Sequence, residues 1–461
     1  MSVANKNNFT VSLVENPIPQ TLKRMTAPMI LGMAMLFTFG LVDTLFISFL
    51  GTESLTAISF TFPVTYTIIS LAIGLGIGTS AVVAKHLGRG DLEQASIAST
   101  VTNYVALLLA LSLALVICLF MNSLFQLMGA SAQMLVPIRQ YMLVWLPGSC
   151  LMVAMMTGNS ILRAGGDTRT PSMVMAGSGL LNALLDPLLI FGWGPVPALG
   201  ITGAATATVI AWCVGCLYLF YILAFRRMLI SRSWPSTAVM RKASRSMLKI
   251  GIPAAAANMM TPLAAGIMTG IAAGFGDNAV AAFGVGSRLE PLATLIVLAM
   301  STTLPPLISQ NFGAGRMDRV AEAYRVATRF IMLWQLLIYV ALAGGASLIA
   351  LMFTREAQVS DLIKLFIWII PLGYGLQGVI ILTNSSLNAL HRPLDALYLS
   401  IARFFVFYLP LAWLGSLWFG LPGFFAGALL GNMLMALVSR KAFHRAVSHE
   451  ELTLAEAESL G

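Results

Sequence analysis

The sequence predicts an all-α membrane protein with twelve transmembrane helices, and three observations carry that expectation. Of 461 residues, 58% are hydrophobic and only 10% are charged, whereas a soluble domain carries about 25% charged residues. Apolar runs of about 20 residues, the length needed to cross a bilayer, recur along the whole chain. The sequence also repeats itself at one fixed offset, which divides it into two halves of six spans each.

Hydropathy sets the spans at 26–49, 55–83, 95–120, 134–161, 171–193, 200–225, 250–275, 280–307, 327–353, 359–387, 396–416 and 420–441. The first carries an acid, Asp43, with Pro28 and Gly40 as points of looseness in its helix. The second contains Gly74-Leu75-Gly76-Ile77-Gly78, which lies mid-span without a preceding strand. A close helix contact or a kink accounts for it better than a phosphate loop does. Tyr141 and Asn159 are polar positions of the fourth span. The fifth has a single acid within Leu180-Leu181-Asn182-Ala183-Leu184-Leu185-Asp186-Pro187, and helical spacing puts Asn182 and Asp186 on one face. The sixth has Thr206 and Thr208, then Cys213-Val-Gly-Cys216, a spacing with no second ligand pair to make a metal or redox site. In the second half, the eighth span has Arg288 and Glu290 just before Pro291, as charges that can pair or contact substrate, and the eleventh has Arg403, expected to snorkel to the nearer interface.

Charge placement sets the topology. Twenty-two of the 27 Lys and Arg fall on one side; the exceptions are Arg139, Arg355, Lys364, Arg288 and Arg403. The positive-inside bias puts both termini in the cytoplasm. The net charge of +9 therefore reflects short basic loops, not a nucleic-acid surface. The polar opening around Lys6 is expected to be no secretory signal. The chain has neither a Walker A pattern nor H-E-x-x-H, and the spans hold no nucleophile–base set, so an enzyme is not expected.

Pro28 matches Pro253, Gly51 matches Gly276, Gly88 matches Gly313 and Asn159-Ser160 matches Asn384-Ser385, each pair 225 residues apart. Six spans is an even number, so the halves are parallel repeats related by an axis along the membrane normal. The expected organisation is a cytoplasmic segment 1–21, an N-lobe 22–225, a basic cytoplasmic linker 226–248 containing Trp234, a C-lobe 249–443 and an acidic tail 444–461. The repeat makes its own exceptions informative. Asp43 corresponds to Met268, and Asp186 falls near Pro410 and Leu411, so these acids belong to one half alone. A carboxylate inside a bilayer is costly and usually functional. At ~1.5 Å per residue both lie at matching depths, ~22–26 Å from the cytoplasmic edge. Two carboxyls sharing an apolar pocket resist being ionised together, so proton uptake there can switch helix arrangements.

With these features in place, the sequence resembles the multidrug and toxic compound extrusion (MATE) transporters. The resemblance covers about Leu22 to Lys441 and is carried by Gly40-Leu41-Val42-Asp43-Thr44, Asn182-x-x-x-Asp186-Pro187, Gly158-Asn159-Ser160-Ile161-Leu162-Arg163-Ala164-Gly165-Gly166-Asp167 and Gly200-Ile201-Thr202-Gly203-Ala204-Ala205-Thr206-Ala207-Thr208. Within the family it looks like the DNA-damage-inducible (DinF-like) branch. The resemblance implies a V-shaped pair of six-helix bundles in the cell inner membrane, working as a monomer, without cofactor, nucleic acid or catalytic residues. It implies proton-coupled export of organic cations and other amphipathic drugs, with an N-lobe pocket of Asp43, Tyr141, Asn159, Asn182, Asp186 and Thr208. Thr206, Arg288 and Glu290 are further expected cavity residues. The sodium-linked branch has acids on helices 7 and 10, which this sequence lacks, although Na⁺ at Asp43, Asn182 and Asp186 remains an alternative. A lipid-linked precursor or polysaccharide flippase of the same superfamily is another, and it would want more basic residues along the cavity than Arg288 and Arg403.

Overall fold

The computed structural model describes residues 13–231 and 235–459; Lys6 and its polar neighbours, and Trp234 of the connector, lie outside the described residues. Among the described residues the regular structure is helical, apart from one isolated antiparallel bridge between Trp193 and Val196. The first half comprises α1 (Ile18–Ser48), α2 (Thr52–Gly88), α3 (Leu92–Leu127), α4 (Leu135–Ala164), α5 (Arg169–Phe191) and α6 (Ile201–Tyr221), which ends in a π turn at Ile222–Arg226. The second comprises α7 (Thr237–Ala273), α8 (Asp277–Ala293), α9 (Leu295–Gly313), α10 (Met317–Gly344), α11 (Ala346–Phe353), α12 (Ala357–Ile369), α13 (Tyr374–Ala389), α14 (Pro393–Ile401) and α15 (Leu409–Ser459).

Among the described residues, eleven helical runs are long and apolar enough to cross a membrane. The last, Pro393–Leu452, holds two spans, because Gly420 inside α15 has φ 62 and breaks the helix before Pro422. Gly415 abuts Gly423, Leu411 abuts Gly427 and Tyr408 abuts Gly431, a pairing that runs in opposite directions on the two arms and defines a hairpin. That gives the twelve spans expected. A glycine stripe lets the two backbones approach without side chains between them.

The chain divides into two compact units. One is built on Ala27–Ala255, the other on Ala256–Gly461 together with a short stretch ending at Thr26; the division falls inside α7. In the first unit α4 packs on α2, α3 and α6. Its core holds Ile68, Ala72, Phe125, Met142, Leu146 and Val153, with Trp145 edge-on to Trp212 at 5.8 Å. The glycines of the 74–78 motif serve packing. A Cβ at Gly74 would collide with the carbonyl of Gly251, and one at Gly76 would lie 2.8 Å from Ser160 Oγ.

The second unit has two cores. One gathers Leu304, Leu307, Val320, Ile331, Ile380 and Leu387 with Leu13, Ile18 and Leu22 from the chain start. Asn311 Nδ2 donates to Leu13 O at 3.1 Å and Arg319 to Asn16 O at 2.6 Å, tying that start down. The other gathers Met268, Ala282, Phe366, Phe424 and Phe425.

Three spans of this half are interrupted where the sequence pattern predicts continuous helices. The eighth breaks at Thr294 between α8 and α9, just after Pro291, which has no N–H to give. The ninth breaks at Gly345, and the tenth passes through a 3₁₀ turn, Ile370–Gly373, at Pro371. The acidic tail does not begin a separate element at 444. α15 continues through it to Ser459, held where Phe443 stacks on Tyr324 at 3.7 Å.

Candidate functional site

The start of α5 is fixed by the acid of the Gly165-Gly166-Asp167 turn. Asp167 Oδ1 accepts from Thr170 N at 3.0 Å, Oδ2 accepts from Thr170 Oγ1 at 2.9 Å, and Arg227 pairs with the same carboxylate. From this anchor α5 runs beside α1. A Cβ on Gly32 would sit 2.9 Å from Ser172 Cα, and one on Gly179 would sit 2.5 Å from Phe39 Cδ2. Positions about 140 apart therefore face each other, and the two helices run parallel. Carried one more turn, that register brings Asp43 level with the 182–186 segment.

The two acids meet there. Their carboxyl groups lie within hydrogen-bonding reach of each other, and Tyr141 on α4 stands close enough to feel both charges. Asp186 is 0% exposed, whereas Asp43 is half-buried. Asn182 Nδ2 donates to Asp186 Oδ1 at 3.2 Å and to Thr208 Oγ1 at 3.3 Å. Thr208 gives its only hydrogen to Ala204 O at 3.0 Å, so it must accept from Asn182. In this arrangement the amide turns its nitrogen, not its oxygen, towards the carboxylate. Asp43 Oδ1 and Asp186 Oδ2 are enclosed and make no hydrogen bond. An enclosed pair of carboxyls with two oxygens unmatched is a place for a proton or a small cation.

Not every expected residue joins this cluster. Asn159 is buried on α4 with its Oδ1 unpartnered, and no bond links it to the acids. Thr206 Oγ1 turns back to Thr202 O at 2.7 Å along its own helix. Arg288 is exposed. Glu290 is instead bonded to Gln377, with Gln377 Nε2 donating to Oε1 at 2.7 Å. Arg403 does not snorkel as expected. It is 9% exposed, donates from Nε to Asn432 Oδ1 at 3.3 Å and lies 4.7 Å over the Phe404 ring. Sequence reasoning passed over Gln377 and Asn432, which are uncharged and unremarkable in a span. The stripe Gly423, Gly427, Gly431 ahead of Asn432 was the available signal for a close helix pair there. Cys216 is a packing residue whose Sγ donates to Leu151 O at 3.0 Å.

The 225-residue repeat is matched by comparison with known proteins. A family model described as MatE matches residues 28–188 and again 253–414, two segments whose starts are 225 residues apart. The chain belongs to the MatE family. It is a multi-pass membrane protein of a transporter family, in which the two matched segments are the two repeats. A Shewanella oneidensis relative described as an FAD transporter is 38% identical over 425 residues, covering 92% of this chain and 94% of that one. A Staphylococcus aureus protein described as multidrug export protein MepA is 24% identical over 428 residues, covering 92% and 93%. Among solved MatE structures, the Vibrio cholerae MATE transporter VcmN in the bent form superposes with a TM-score of 0.90 at 34% identity, over 96% of this chain and 99% of that one.

Proposed function

We propose that this protein is a proton-coupled exporter of amphipathic small molecules in the cell inner membrane, with Asp43 and Asp186 as the groups that exchange H⁺ for substrate. The observation that carries the reading is the enclosed contact of two carboxyls in one half of a repeated chain, with Met268 at 0% exposure in an apolar core at the equivalent position of the other half. Organic cations compete with protons for that pair, and the relative described as multidrug export protein MepA supports drugs as the exported class. Proton uptake displaces substrate and alters how α1 sits on α5, and relatives solved in bent and straight forms support two arrangements.

The orientation of Asn182 supports protons over Na⁺. Hard cations take oxygen ligands, and this amide presents its nitrogen. The test is export of ethidium from proteoliposomes under an imposed pH gradient, with Na⁺ exchanged for K⁺ at constant pH. Transport that follows the pH gradient and ignores Na⁺ is expected. Transport that requires Na⁺ would reassign the carboxyl pair to sodium.

A second reading of the substrate is favoured by the Shewanella oneidensis relative at 38% identity, described as an FAD transporter. Under it the same coupling pair drives export of a flavin dinucleotide. Including FAD beside ethidium in the same vesicles separates the two substrate classes.

A further inference from the structure

The second unit carries a buried cation that the carboxyl pair does not use. Arg403 lies in a π turn, Ala402–Tyr408, a type of helix irregularity that frequently marks functional sites. The hairpin at Gly420 brings Asn432 against it, since Gly431 leaves no room between its own backbone and Tyr408. Asn432 accepts from Nε, and the terminal nitrogens Nη1 and Nη2 have no acceptor among the described residues. Phe404 covers one face of the guanidinium. The result is a planar fork of donors held by an amide and a ring, with its outer edge unused.

Two further groups complete the cluster. Tyr374 follows the 3₁₀ turn at Gly373, where a Cβ would lie 2.9 Å from Leu429 Cδ1 and 3.9 Å from Nδ2 of Asn432, the amide that holds Arg403. It is 1% exposed, and its hydroxyl makes no hydrogen bond. Glu290 is near enough for its charge to reach Tyr374, Tyr408 and Arg403. Gln377 holds it, and it makes no ion pair with the guanidinium among the described residues. The fork's terminal nitrogens are therefore left for another partner. A guanidinium fork binds planar or tetrahedral oxyanions through paired N–H bonds.

We infer that Arg403, with Tyr374 as a second donor, forms an oxyanion site in the C-terminal half that takes the phosphate of a transported molecule. Glu290 beside it is the like charge that keeps the anion from being held too tightly. The inference rests on the transporter reading, and on its flavin form only for the choice of natural ligand: FAD carries a diphosphate, riboflavin the same ring without it.

The test uses the full-length protein in detergent, with inorganic pyrophosphate, FAD and riboflavin as probes of thermal stability and of flavin fluorescence. Pyrophosphate and FAD are expected to bind the wild type, riboflavin much more weakly. Arg403→Gln should weaken both oxyanion probes about tenfold or more, the usual worth of a charge-assisted hydrogen bond, and leave riboflavin unchanged. Glu290→Gln should tighten FAD binding severalfold, a gain that a merely structural role does not produce. Tyr374→Phe, which keeps charge and packing, should weaken it severalfold and stands in if Arg403→Gln fails to fold. Binding of pyrophosphate without FAD would keep the site and remove the flavin reading. Equal FAD binding in wild type and all three variants, or no stabilisation by either probe, would overturn the site. So would phospholipid retained by the wild type and lost from Arg403→Gln while FAD binding stays the same, since the arginine would then hold a lipid headgroup.

Discussion

Replacing Asp186 with Asn is the most direct probe of the carboxyl pair. The change is nearly isosteric, and Asn182 Nδ2 keeps an oxygen to donate to in place of Asp186 Oδ1 at 3.2 Å, so the helix contacts survive. What is lost is the capacity to gain and lose H⁺. One proton moved down one pH unit is worth about 1.4 kcal/mol, a tenfold concentration ratio. An exporter that exchanges one H⁺ per substrate therefore builds about a tenfold gradient per pH unit, and one that uses both carboxyls as separate carriers builds about a hundredfold one. Because the two carboxyls face each other across the α1–α5 register, each with an enclosed and unmatched oxygen, they are expected to share the exchanged proton, giving a slope near one in a plot of log accumulation ratio against imposed ΔpH. Asp186→Asn and Asp43→Asn should each flatten that slope to zero while expression and detergent stability stay near wild type. A slope unchanged in both variants would refute the assignment of coupling to this pair, and a slope near two in the wild type would refute sharing.

Other outcomes follow from neighbouring geometry. Met268→Asp should fail to restore export to Asp43→Asn and should lower the thermal midpoint, because it places an unpartnered carboxyl in an apolar core at a cost of several kcal/mol; restored export would show that the halves are interchangeable. Gly74→Ala should destabilise by about 1–3 kcal/mol through collision with the Gly251 carbonyl, whereas Gly40→Ala, with nothing within 4 Å, should leave the midpoint in place. Asp167→Ala removes the acceptor of three groups at the head of α5 and should cost about 2–3 kcal/mol, with loss of export as α5 shifts. Arg227→Gln, whose side chain is 37% exposed, should cost about 1 kcal/mol or less.

The sequence by itself determined the class of protein, the number of spans, the twofold repeat and the identity of the two acids. Each of these is local or periodic: hydropathy is summed along the chain, an offset of 225 needs no coordinates, and an acid among apolar residues stands out wherever it points. Helical spacing likewise placed Asn182 one turn from Asp186. Only the tertiary structure decided which faces meet. In a membrane helix, lipid and neighbouring helices are both apolar, so the hydrophobic pattern does not say which side turns inward. The contact of Asp43 with Asp186 depends on the parallel register of α1 and α5, set by the close approaches at Gly32 and Gly179. The fate of Arg403 was decided in the same way. Its distance from the interface permits snorkelling, but the glycine stripe from Gly423 to Gly431 draws Asn432 up to it, and a guanidinium with an amide partner inside the lobe stays buried.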